Sequence, residues 1–251
     1  MDIICMATMK GGVGKTTTAH AVATRLAEKE KVVLVDLDPQ ATLTKAIGVS
    51  HEATIADCLM ANTPAYKASV QVSERLTLIP SQIELAEAEI AISGKMGRER
   101  ILERVLRPLS NDCDVVVIDT PPSLGLLTVN ALVASQGAVI PTQPQAADLY
   151  GLREFLLTTI KQVQEFLNPN LEVIGIVTTQ MMKRVNHHRE AIAIMQEAQL
   201  PLFSTFIPRS VRVAEALGIG QSIVTYEPSN PAAKAYVELT EEINQWRRNR
   251  Q

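Results

Sequence analysis

Short apolar runs alternate with longer amphipathic stretches along the whole chain. The runs Asp2-Ile-Ile-Cys-Met-Ala-Thr8, Lys31-Val-Val-Leu-Val-Asp36, Leu76-Thr-Leu-Ile-Pro80, Asp114-Val-Val-Val-Ile-Asp119 and Gly137-Ala-Val-Ile-Pro141, with two later ones over 171–178 and 200–206, read as buried strands. Between them lie segments of helix composition over 19–30, 55–60, 84–89, 102–109, 147–167 and 232–248. In the long 147–167 segment, Leu152, Leu156, Ile160, Val163 and Leu167 recur at spacings of three or four, which marks a core-facing stripe. Near the end of the chain, Tyr236, Leu239 and Ile243 share a face in the same way. Strands that alternate with helices predict an α/β fold: a doubly wound, mostly parallel sheet flanked by helices, with residues 1–251 as one domain. No internal repeat or low-complexity linker divides the chain.

The first apolar run leads into Met9-Lys10-Gly11-Gly12-Val13-Gly14-Lys15-Thr16-Thr17. Glycines at 11, 12 and 14 let the backbone fold around an anion, and the following helix turns the positive end of its dipole toward it. In such a phosphate loop Lys15 reaches the β- and γ-phosphates, and Thr16 gives its hydroxyl to Mg²⁺. The pattern is a variant of G-x-x-x-x-G-K-[ST], because position 9 holds methionine, and it carries a second lysine, Lys10. A chance glycine-rich turn would leave the strand before it and the helix formers after it unexplained.

These residues and two later segments resemble the ParA/MinD family of deviant Walker-type ATPases, whose hallmark is K-G-G-V-G-K-T-T. The resemblance implies ATP and Mg²⁺ as cofactors, nucleotide contacts from Lys10 to Thr17, and a homodimer in which Lys10 reaches the nucleotide held by the partner. Asp36-Leu-Asp38-Pro-Gln40 resembles the family's first switch. There Asp38 would position the attacking water and Asp36 would support the magnesium shell; a plain turn cap is the other reading of Asp38. Relatives commonly continue Gly-Asn where this chain has Ala41-Thr42. Asp119, at the end of a buried run, is the metal-facing Walker-B candidate, and residues 120–125 would form the second switch. Ile207-Pro-Arg-Ser-Val-Arg212 resembles a further family segment that places Pro208 near the adenine, with Gln180 and Met181 as additional adenine candidates.

Composition narrows the function. Three cysteines without C-x-x-C spacing argue against a disulfide framework, a zinc site or a cluster ligand set. No apolar stretch approaches the about 18 residues of a membrane span. The net charge of −3 is unlike that of a nucleic-acid-binding protein taken as a whole, yet such affinity depends on local phosphate contacts. The resemblance implies non-specific DNA binding by the ATP dimer, with Lys183, Arg184, Arg189, Arg209 and Arg212 as candidates and the terminal Arg247, Arg248 and Arg250 as a second group. It further implies a cytoplasmic, nucleoid-associated positioning ATPase. Its cargo would be a plasmid, a chromosome or a protein body such as a carboxysome, and a ParB-like adaptor would stimulate it. A MinD-like membrane-cycling ATPase and a small-molecule kinase or amidating enzyme are the competing readings.

Overall fold

The computed structural model describes residues 1–182 and 184–250. Eight strands form one sheet: β1 (Asp2–Met6), β2 (Val32–Asp36), β3 (Val70–Gln71), β4 (Leu76–Ile79), β5 (Val115–Asp119), β6 (Gly137–Thr142), β7 (Glu172–Met181) and β8 (Leu202–Pro208). Their order is β3-β4-β2-β5-β1-β6-β7-β8, parallel except for β3, which pairs antiparallel with β4 at one edge. The expected α/β doubly wound architecture is therefore present.

The central runs form strands because both of their faces are covered. Alternate side chains point to opposite sides: Ile3 and Cys5 of β1, Val33 and Val35 of β2, and Val116 and Ile118 of β5 enter one core. Ile4 and Met6, Val32 and Leu34, and Val115 and Val117 enter the other. Helices Ile55–Ala61, Leu85–Ser93, Ile101–Leu106 and Leu126–Ala134 close the first core, and Lys15–Leu26, Val211–Gly218 and Pro231–Arg250 close the second. The last helix starts with proline at its first position, and the Asn230 carboxamide oxygen accepts from Ala232 N–H at 3.0 Å. Tyr236, Leu239 and Ile243 of that helix are buried. Arg247 pins it to the sheet through Asp2 at 2.8 Å and Glu30 at 2.7 Å.

Three features depart from the sequence pattern. The first helix begins at Lys15 rather than 19, because Gly14 sits at φ 85° and hands the loop directly to the helix. The long helix runs as Ala146–Glu154, a π-helical stretch over Phe155–Ile160, and Lys161–Phe166. Phe155, three residues after Leu152 and the first residue of the wider turn, is buried in the same core as Leu152 and Ile160. Helices Leu126–Ala134 and Asn186–Glu197 and the two-residue strand β3 had no clear signal.

The chain leaves β1 between β5 and β6, where successive crossovers go to opposite sides of the sheet. A crevice opens at such a point beyond the C-terminal strand ends. The glycine loop, Asp36 and Asp119 all lie there.

Candidate functional site

The crevice is a cleft of about 620 Å³ lined at one end by Gly11, Gly12, Gly14, Lys15, Thr16 and Thr17, with Asp38 and Pro122 opposite. Gly12 and Gly14 hold φ values of 73° and 85°, a region that side-chain-bearing residues seldom adopt. Lys15 is buried, and its Nζ donates to the Lys10 carbonyl at 3.0 Å. Burial lowers its pKa, while Asp119 and Asp38 raise it. The Lys10 side chain, in contrast, is exposed. The cleft is thus a cationic cradle at a helix N-terminus, a natural anion site.

Two carboxylates stand in register behind it, Asp36 of β2 opposite Asp119 of β5. Asp36 is fully engaged: Oδ2 accepts from Thr44 N–H at 2.9 Å and Thr44 Oγ1 at 2.7 Å, and Oδ1 accepts from Asp38 N–H at 3.2 Å. Burial pushes its pKa up to about 6 against those hydrogen bonds. Asp119 is equally buried, but neither of its oxygens has a hydrogen-bond partner among the described residues. Burial and the Asp36 charge hold its pKa well above the usual carboxylate range, opposed by the Thr16 hydroxyl and Lys15. A buried carboxylate left open beside a threonine hydroxyl fits a divalent cation. No group of three or more His, Cys, Asp or Glu side chains capable of holding a metal occurs among the described residues. A cation here would therefore take its remaining oxygens from phosphate and water, as Mg²⁺ does. In that arrangement Asp119 would face the ion, while Asp36 is engaged by Thr44 and the Asp38 N–H.

Asp38 lines the cleft and also caps its own turn, Oδ1 accepting from Gln40 N–H at 2.9 Å. Ser81, which sequence reading did not single out, donates through Oγ to the Asp38 carbonyl at 2.7 Å, and its N–H donates to Thr44 Oγ1 at 2.9 Å. Asp36, Thr44, Ser81 and Asp38 are thereby one network from β2 to the residues after β4. Ala41 closes the turn at φ 53°, a conformation that costs a non-glycine residue about 1 kcal/mol.

Apolar residues Ile207, Pro208, Val213, Leu217 and the buried Tyr236 also line the cleft, together with the polar Thr179, Arg209 and Ser210. Pro208, the adenine candidate, is among the residues that line the cleft. Tyr236 had been legible only as a core residue. Gln180 lines the cleft, but its amide donates to the Gly12 carbonyl at 2.8 Å. Met181 is buried and is not among the residues that line the cleft, and its carbonyl accepts from Arg209 N–H at 3.0 Å. Val13 likewise buries its side chain and contributes backbone alone, its carbonyl accepting from Thr179 Oγ1 at 2.7 Å.

The basic candidates separate. Lys183 lies outside the described residues. Arg184 and Arg189 are exposed, Arg189 donating to Asn186. Arg209 is exposed and lines the cleft, whereas Arg212, also exposed, is not among the lining residues. Arg212 pairs with Glu215 at 2.6 Å and Glu227 at 3.1 Å. Arg247 is buried in its ion pairs, which removes it from any surface group, and Arg250 pairs with Glu172.

A parallel sheet with a glycine loop, a buried lysine and an open carboxylate at its switch point defines the class of P-loop nucleoside-triphosphatases. A family description reading "AAA domain" matches residues 1–173. The sporulation initiation inhibitor protein Soj of Bacillus subtilis is 37% identical over 250 residues, covering 96% of this chain and 97% of that protein. Among solved structures, cobyrinic acid a,c-diamide synthase of Mycobacterium smegmatis with bound ADP and magnesium superposes with a TM-score of 0.86 at 33% identity, covering 98% of this chain and 96% of that one. A McdA variant of Cyanothece in complex with ATP gives 0.87 at 25% identity, covering 97% and 96%. The chain belongs to the ParA/MinD family of P-loop ATPases.

Proposed function

We propose that this ATPase, with ATP and Mg²⁺ as its cofactors, forms an ATP-sandwich homodimer that holds DNA non-specifically and partitions or positions a cargo. The observation that carries the reading is the division of labour between two lysines on one loop. Lys15 is buried, with Asp119 and Asp38 acting on its charge, whereas Lys10 is exposed. One cation would serve the nucleotide in its own cleft, and the other would meet the phosphates held by a second subunit. Nucleotide then becomes part of the interface, and hydrolysis dissolves it.

In this cycle Asp119 and Thr16 would hold Mg²⁺, which would supply positive charge against the phosphates, and Lys15 would bind the β- and γ-oxygens. Asp38, fixed by Ser81 and Gln40, orients the attacking water. Pro208 and Tyr236 enclose the base. A ParB-like adaptor stimulates hydrolysis, and the protein works in the cytoplasm on the nucleoid. A chromosome as cargo is supported by likeness to the chromosome partitioning protein ParA of Myxococcus xanthus, 36% identical over 247 residues, covering 96% of this chain and 87% of that protein. The test is retention on random-sequence DNA with ATP, with ADP, and with a non-hydrolysable analogue. Retention with ATP and the analogue but not ADP supports the reading; equal retention in all three removes it.

The membrane-cycling alternative requires an apolar face offered to lipid. The C-terminal helix has committed Tyr236, Leu239 and Ile243 to the core, and Trp246 donates its indole N–H to Glu172 at 2.7 Å. Small-molecule amidation is favoured by one observation, the name of the M. smegmatis structure. Turnover that depends on an added carboxylic acid and an amide donor, rather than on DNA, would select it.

A further inference from the structure

Two glutamines outside the phosphate loop converge on one of its carbonyls. Gln143, just after β6, donates through Nε2 to the Gly12 carbonyl at 3.1 Å, and Gln180 of β7 donates to the same oxygen at 2.8 Å. Both lone pairs of that oxygen are then used. The next carbonyl, Val13, accepts from Thr179 Oγ1 at 2.7 Å, and Gln145 in turn donates to Gln143 Oε1 at 3.0 Å.

Gln180 reaches the loop by a backbone irregularity. It sits at φ 53°, and the pairing of β7 with β8 shifts register between Thr178 and Met181. An extra strand residue of this kind re-aims a side chain, at a conformational cost a buried packing role would not require.

We propose that Gln143 and Gln180 are positioning residues for the phosphate loop, holding its peptides in the anion-binding orientation before nucleotide enters. In a trans peptide the C=O and the next N–H point in opposite directions. Fixing the Gly12 and Val13 carbonyls toward β6 and β7 therefore turns the Val13 and Gly14 N–H groups the other way, free to donate to phosphate. Glycine at 12 and 14 makes the loop able to adopt this shape but equally able to leave it. The glutamines supply what glycine lacks, a reason to stay. Gln180 thus acts on the phosphate end of the cleft and not on the base.

The inference rests on the cleft being the nucleotide site, so wild-type affinities for ADP and ATP with Mg²⁺ are measured first by calorimetry. Failure of the wild type to bind either would overturn both readings together. Gln143→Met and Gln180→Met keep bulk but remove the donor. Each is expected to weaken ADP and ATP alike by about threefold to tenfold, the worth of one neutral hydrogen bond, and the double variant by more. The melting temperature without nucleotide should stay within about 2 °C of wild type, because the effect is on loop orientation and not on the fold. Gln180→Glu, isosteric but without a donor, should bind more weakly than Gln180→Met, since it sets a carboxylate beside the phosphates. Wild-type affinity in the double variant would overturn the proposal. So would a loss of affinity accompanied by an equal loss of stability, or a loss confined to one nucleotide.

Discussion

Asp36 and Asp119 are register partners at the ends of adjacent strands, two buried carboxylates side by side, and among the described residues the first has hydrogen-bond partners for its side-chain oxygens while the second has none. Like charges in this position cost stability unless a cation sits between them or one takes a proton. The fold therefore carries a destabilising feature that a bound divalent cation would relieve. Asp119→Asn should make the nucleotide-free protein more stable by roughly 1–3 kcal/mol and at the same time remove the Mg²⁺ dependence of ATP binding. Urea unfolding in EDTA, paired with ATP titrations with and without Mg²⁺, checks both halves. A less stable variant that still responds to Mg²⁺ would mean that Asp119 is a structural cap.

The two lysines should fail differently. Lys15→Ala is expected to lower affinity for ADP and ATP by on the order of a hundredfold, because it removes a charge-assisted contact from a buried site. Lys10→Ala should leave ADP binding close to wild type and abolish ATP-driven dimerisation. Calorimetry with ADP and sedimentation with ATP separate the outcomes; equal loss of ADP affinity in the two variants speaks against a role for Lys10 across the interface.

Asp38 has two visible jobs, lining the cleft and capping its turn through Gln40. Asp38→Ala is expected to keep Mg²⁺ and ATP binding while turnover falls by about 10²–10⁴, the range for a lost proton-transfer or water-orienting group. The variant should accumulate as an ATP-bound dimer. Asp38→Asn, which can still accept from Gln40, should be as slow. Wild-type turnover in either variant would leave only the turn cap.

His20 lies buried in the first helix, and burial lowers its pKa to about 4 from an ordinary 6.5. The unfolded chain takes up the proton first, so this group contributes stability that is full above about pH 6.5 and is lost as pH falls toward 4, on the order of 3 kcal/mol in total. Asp36 acts with the opposite sign over part of that window, since its folded pKa is raised to about 6. The difference between wild type and His20→Gln isolates the histidine. Denaturation at pH 7.5, 5.5 and 4.5 should show the gap narrowing with acid; a constant gap would place His20 in water.

Much of this was readable in advance because it rests on local pattern. Buried runs ending in aspartate announce β2 and β5, and the glycine loop announces the turn that β1 feeds. What stayed hidden depends on long-range pairing. Ser81 reaches Asp38 and Gln143 reaches Gly12 only because β4 and β6 end at the same sheet edge as β2 and β1. Tyr236 reads as one more core position until the last helix is packed against the first. The π-helical stretch at Phe155–Ile160 leaves no mark, since the apolar spacing suits an ordinary helix until Phe155 is seen buried beside it. The arginines misled most. Arg209, Arg212 and Arg247 share a charge in the sequence, but in three dimensions one lines the cleft, one answers two glutamates and one is buried against Asp2 and Glu30.

That separation sharpens the expectation for DNA. A chain of net charge −3 gains little from scattered cations, but a two-fold dimer repeats each exposed one on a shared face. Arg184 and Arg189 keep exposed positions around the start of helix Asn186–Glu197, whereas Arg212 has Glu215 and Glu227 to answer. Arg189→Glu, alone or with Arg184→Glu, should abolish ATP-dependent DNA retention at moderate salt while dimerisation and basal turnover persist. Arg212→Gln should reduce retention far less, since its charge is already met within the protein. Phosphate contacts carry no base information, so random and defined sequences should bind alike. Each contact removed from a two-fold dimer should also flatten the log–log salt dependence by about 2, one for each subunit. An unchanged affinity and slope in the Arg184/Arg189 variant would clear this surface of the role, and ATP-dependent pelleting with anionic vesicles in the same preparation would move the cycle from nucleoid to membrane.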